Sequence, residues 1–169
     1  AGQTCTAPDY LIVKRSAVDP LIDALKNAMH EFFGDHPKNC PDYARIINES
    51  HFERVQAYLE DGDVVIGGDT DKEDLYIEPT VMRHVQPEDQ IMQDEIFGPI
   101  LPIIEVDSVD EALSFINHRE KPLAMYVFSE RHSVVERFLK ESTAGGVTIN
   151  DVLFHLSVHD LPFGGVGQS

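Results

Sequence analysis

Between Ile100 and Asn150 the hydrophobic period of the chain switches repeatedly, and this restricts the fold more than any other feature. Ile100 to Val106 (I-L-P-I-I-E-V) is a short, strongly apolar run, which predicts a buried strand. Ser108 with Glu111 forms a capping box, opening a helix whose face is Val109, Ala112, Leu113 and Ile116. Ala124 to Phe128 returns to a strand pattern, and a helix over about 131–140 packs through Val134, Val135, Phe138 and Leu139. Gly145 to Asn150 (G-G-V-T-I-N) reads as a last strand. Strands that alternate with helices predict an α/β fold with a mostly parallel twisted sheet flanked by helices. In open sheets of this kind sites form beyond the C-terminal ends of strands, where Asn150 lies.

The N-terminal half carries the same alternation. Tyr10 to Lys14 is a short apolar run. Asp19 and Pro20 predict an N-cap followed by proline at the first helical position. Leu21, Ile22, Leu25, Ala28, Met29, Phe32 and Phe33 then recur at helical spacing, and Gly34 is a natural stop. A second helix is expected from about 49 to 60, with Phe52, Val55 and Leu59 on one face. Val64 to Gly68 predicts a strand, and Tyr76 to Arg83, which contains Pro79, an edge or irregular one.

The chain has 169 residues and a formal net charge of -17. Its acidity and the lack of any Lys/Arg cluster argue against nucleic-acid binding, which needs a basic footprint. No apolar stretch is long enough to span a membrane, and no signal peptide is visible. Cys5 and Cys40 are too few for a disulfide scaffold, so a reducing, cytoplasmic setting is expected. No zinc-type spacing is present, and Asp69 to Asp74 lacks the glycine and distant glutamate of an EF-hand, which makes it a solvated turn. No metal is expected.

Three short motifs could carry chemistry. In G-Q-T-C-T-A-P, Gly2 permits a tight turn before Cys5. Backbone N–H groups beside a thiol can lower its pKa and bind an oxyanion, but a free cysteine is also often a small buried hydrophobe. In D-E-I-F-G-P, Glu95 could accept hydrogen bonds from a pair of ribose hydroxyls and Phe97 could form an apolar wall. Equally, the segment could be an amphipathic loop with Phe97 in the core. In L-P-F-G-G-V-G, Leu161 to Gly167, the glycines come after Pro162 and open no helix. The segment therefore suits a close backbone approach between loops better than a phosphate cradle.

Together these motifs resemble the aldehyde dehydrogenases, specifically the C-terminal catalytic part. G-Q-T-C, E-I-F-G-P and P-F-G-G occur in family order over essentially the whole chain. C-T-A-P-D-Y and N-D-V-L-F-H are most similar to the class 3 branch, which includes fatty and aromatic aldehyde enzymes. The resemblance implies that Cys5 attacks an aldehyde and passes through a thiohemiacetal and a thioester. It implies that Glu95 and Phe97 contact NAD or NADP, that Asn150 supports the active-site floor, and that Phe154 and His155 line the aldehyde entrance.

The family's Glu-Leu-Gly-Gly motif, source of the general base, does not occur here. Nor does its cofactor domain, which binds most of the NAD or NADP. Residues 1–169 are thus expected to be the catalytic domain of a longer, homo-oligomeric enzyme, inactive when isolated. Semialdehyde and CoA-acylating dehydrogenases of the same superfamily are alternatives, as is a non-catalytic α/β module with a structural cysteine.

Overall fold

The structure, a computed structural model, describes residues 2–169. The chain divides into two compact units, one ending at Glu105 and one running Val106–Ser169. In the first, the elements in chain order are β1 (Leu11–Lys14), α1 (Val18–Phe33), α2 (Glu49–Ala57), β2 (Asp63–Ile66), β3 (Thr70–Asp71), β4 (Tyr76–Ile77), β5 (Thr80–Arg83) and β6 (Ile100–Val106). The main sheet has the order β1-β6-β5-β2. Strands β5 and β6 run parallel, with Thr80 opposite Ile100, while β2 joins β5 antiparallel.

Helix α1 begins one residue before the expected cap. Its N-cap position is Ala17, with no capping side chain, and Asp19 falls inside the first turn. There its carboxylate faces the positive end of the helix and pairs with Arg83 at 2.9 Å. The early start has a packing cause. Val18 is fully buried against Val81 and Ile103, with Leu11, Val13, Ile22, Leu25 and Met29 packed around them. Of the predicted face only Phe32 turns fully outward, at 71% exposure, while Phe33 stays half-buried and meets the Tyr43 ring edge-on at 5.1 Å.

Of the two readings of Tyr76 to Arg83, the irregular one holds and the edge one does not. The segment breaks at Glu78 and Pro79 into β4, which pairs with β3, and β5, which lies inside the main sheet. Pro79 has no N–H to give a ladder, so it sits in the gap between them. The β2 strand also starts and stops earlier than Val64 to Gly68 predicts.

Helix α2 is capped by Asn48, whose side chain accepts the His51 N–H at 2.8 Å. Phe52 and Val55 are fully buried. The helix ends at Ala57 and tightens into a 3-10 turn, Tyr58–Glu60, where Tyr58 takes the buried place and Leu59 is half-buried.

Tyr43 stacks edge-on to Tyr76 and donates its hydroxyl to Ile77 O at 2.8 Å. Burial pushes the Tyr43 hydroxyl far above the usual tyrosine range; Tyr76 adds to this and Arg45 opposes it. Burial likewise pushes Tyr76 up to about 12. Both folded values exceed the unfolded one of ~10, so the native state holds protons that the unfolded chain releases. The stabilisation is therefore complete below about pH 10 and is lost as pH rises towards the folded values. Urea unfolding at several alkaline pH values is expected to show this fall, with a shallower slope for Tyr43→Phe.

The second unit contains α3 (Val109–Asn117), β7 (Ala124–Val127), α4 (His132–Glu141) and β8 (Gly146–Ile149). The capping box forms: Ser108 Oγ accepts the Glu111 N–H at 3.1 Å, while the Glu111 carboxylate reaches back to the Asp107 N–H at 2.7 Å. Strands β7 and β8 are parallel, from Ala124 opposite Gly146 to Val127 opposite Ile149. The chain is thus α/β as expected, with mostly parallel sheet strands flanked by helices. Strand β2 joins β5 antiparallel, and β3 and β4 form an antiparallel hairpin.

Candidate active site

Cys5 lies on an exposed turn, closed by the Ala7 N–H donating to Thr4 O at 2.9 Å. It is not the small buried hydrophobe that the sequence left open. Both ends of its loop are fastened. Gly2 has φ 70 and lies so close to Gly98 that an added Cβ would stand 2.1 Å from the Gly98 carbonyl oxygen. Gln3 donates to Arg45 O and accepts from the Ile47 N–H. Beyond the turn, the Asp9 carboxylate accepts the Ile96 N–H at 2.9 Å. The loop bearing Cys5 is therefore strapped to E-I-F-G-P on two sides.

Within that second motif Ile96, not Phe97, enters the core, at 1% exposure. Glu95 is exposed and Phe97 half-buried, with φ 48. Helix α2 holds the backbone of this segment. Arg54 donates from Nη1 to Glu95 O at 3.2 Å and from Nη2 to Ile96 O at 2.6 Å. His51 Nε2 donates to Phe97 O at 2.7 Å, and its Nδ1 accepts from Arg54 Nη2 at 3.1 Å. Sequence reasoning missed both residues. Their only signal was an i, i+3 pair on the polar flank of an amphipathic helix, which looks like any solvated pair.

The other residues singled out in the sequence, Asn150, Phe154 and His155, lie in the second unit. Asn150, at φ 55, donates its N–H to Val127 O and clasps the loop after β7. Its Oδ1 accepts the Ser129 N–H at 2.8 Å and its Nδ2 donates to Ser129 O at 3.2 Å. Phe154 is 63% exposed on a 3-10 turn. His155 turns onto the β7–β8 pair: Nδ1 is 2.9 Å from Thr148 Oγ1, and a Cβ on Gly146 would meet its ring at 2.5 Å. The close backbone approach expected of P-F-G-G is present, since a Cβ on Gly145 would stand 2.2 Å from Gly164 O. Among the described residues no group of three or more His, Cys, Asp or Glu comes together to hold a metal ion.

The α/β chain thus presents an exposed thiol on a strapped turn, beside a loop carrying an exposed carboxylate and a half-buried aromatic ring. The family model "Aldehyde dehydrogenase family" matches residues 1–169, and the chain belongs to that family. It is 49% identical to aldehyde dehydrogenase family 3 member A2 of Rattus norvegicus over 168 residues, which is 99% of this chain and 35% of that protein. It is 49% identical to the dimeric NADP-preferring aldehyde dehydrogenase of Bos taurus over 169 residues, all of this chain and 71% of that protein. Among solved structures, the substrate-bound state of Staphylococcus aureus AldH superposes with a TM-score of 0.96 at 48% identity, covering 99% of this chain and 37% of that one. The chain thus spans about a third of the length of the rat relative.

Proposed function

We propose that this chain is the nucleophile-bearing part of an NAD(P)-dependent dehydrogenase that oxidises aldehydes to carboxylates through Cys5. The observation that carries the reading is the exposed Cys5 turn, strapped by Gly2 and Asp9 to the loop of Glu95 and Phe97. Family membership and the relatives' names support the reaction class.

In this reading the Cys5 thiolate attacks the aldehyde carbon and forms a C–S bond. The carbonyl electron pair moves to oxygen, where the backbone N–H of Cys5 donates to it. When bound, NAD(P)+ supplies the acceptor for the hydride that leaves the thiohemiacetal carbon, which leaves a thioester on Cys5. Water then adds to the thioester carbon and gives up its two protons to solvent, and the C–S bond breaks, so that the carboxylate departs and the Cys5 thiolate returns.

The residues present fit such a cofactor. The exposed Glu95 carboxylate suits two ribose hydroxyls, and the half-buried Phe97 ring offers an apolar wall. The resemblance to the family gives Asn150 a supporting role at the floor of the site; within its own unit its side chain holds Ser129. Phe154 is taken to line the aldehyde entrance, with His155 behind it. The whole enzyme is proposed to be a homo-oligomer, which the "dimeric" in the Bos taurus relative's name supports.

The test is acid-quench mass spectrometry on the full-length enzyme mixed with aldehyde and NAD(P)+. The peptide containing Cys5 is expected to carry the acyl group during turnover. NAD(P)H formation with that peptide unmodified and with no effect of a thiol-blocking reagent would refute the proposal.

A further inference from the structure

Phe97 is a bulky residue held at φ 48, a conformation that persists only where its surroundings over-determine it. The surroundings here are two side chains of one helix. Arg54 and His51 occupy the carbonyls of three successive residues, Glu95, Ile96 and Phe97. The guanidinium is itself fixed, lying 5.3 Å over the Tyr58 ring and donating to the Tyr58 hydroxyl at 2.6 Å. The His51 ring is fixed in turn. A carbonyl only accepts, so Nε2 carries the proton towards Phe97 O, and Nδ1 is left to accept from Arg54. Behind both residues, α2 is anchored by fully buried Phe52 and Val55, and Val55 also backs Gly98.

These bonds set the peptide planes from Glu95 to Phe97, and hence the directions in which the Glu95 and Phe97 side chains leave the backbone. We propose that Arg54 and His51 are positioning residues for the cofactor: by clamping these carbonyls they aim Glu95 and Phe97 at the bound nucleotide. The inference rests on the reading above, in which Glu95 and Phe97 contact NAD(P). In this proposal Arg54 and His51 act through the backbone carbonyls they hold, not as ligands of the nucleotide. A planar fork that spans two carbonyls is a task for arginine that lysine cannot duplicate.

The experiment uses the full-length enzyme and compares Arg54→Met, Arg54→Lys, His51→Leu, His51→Gln and Glu95→Gln. The readouts are KM for NAD(P)+, kcat, melting temperature, and cofactor-free ester hydrolysis through Cys5. Loss of the clamp is expected to raise the cofactor KM ~10-fold or more for Arg54→Met and also for Arg54→Lys. Ester hydrolysis should fall much less than aldehyde oxidation. His51→Gln keeps an N–H donor for Phe97 O and should recover most of what His51→Leu loses.

A cofactor KM within about twofold of wild type in both Arg54 variants overturns the proposal. So does an equal fall of both activities, which would mark a general structural role. Should Arg54→Met not fold, Arg54→Lys and the His51 pair decide the matter alone. Glu95→Gln separates the two levels. If it leaves the cofactor KM intact, the cofactor reading fails and takes the clamp with it. If it raises KM while the Arg54 variants do not, the clamp alone fails.

Discussion

Cys5→Ala in the full-length enzyme is expected to lower NAD(P)H formation by ~10⁴-fold or more, because removing a covalent nucleophile removes the route itself. Alanine leaves the turn intact, since the Thr4 to Ala7 bond is between backbone groups. Cys5 is exposed, so no cavity forms on its removal. Nucleotide binding should therefore survive while turnover does not. Steady-state assays beside nucleotide titration check both. Residual turnover within about tenfold of wild type would mean that another group attacks the aldehyde.

Gly2→Ala is the second large effect, and it acts without touching the thiol. At φ 70 an L-residue is strained, and its Cβ would meet the Gly98 carbonyl oxygen at 2.1 Å. The obstacle is backbone on both sides, so no rotamer change relieves it. The strap must open by displacing the Cys5 turn from the Glu95–Phe97 loop. A misplacement of ~1 Å costs ~10²-fold in rate, and a loss of that order in kcat is expected. Thiol alkylation should show Cys5 still present and reactive. Wild-type kcat in Gly2→Ala would show that the close approach to Gly98 is not needed for alignment.

Much of the architecture was legible because it rests on local rules. The Ser108–Glu111 cap, the alternation from Ile100 to Ile149 and the Gly34 stop each depend on neighbours a few residues away. The misreadings share one cause, which is long-range packing. Asp19 resembles an N-cap, yet α1 starts at Val18 because Val81 and Ile103 bury that side chain. Tyr76 to Arg83 resembles an edge because of Pro79, yet β5 is interior because its ladders begin just after the proline.

The candidate site divides along the same line. The sequence by itself nominated its members: Cys5, Glu95 and Phe97 stand in motifs whose order along the chain resembles the family's. Only the tertiary structure decided that Ile96 takes the core position, that Gly2 meets Gly98, and that Arg54 and His51 hold the carbonyls of residues 95–97. Motifs record which chemical groups the chain carries. Contacts across about 40 to 96 residues, such as Arg54 with Ile96 or Gly2 with Gly98, leave no periodic trace in the sequence, because they appear only when the core brings α2 and the two loops together.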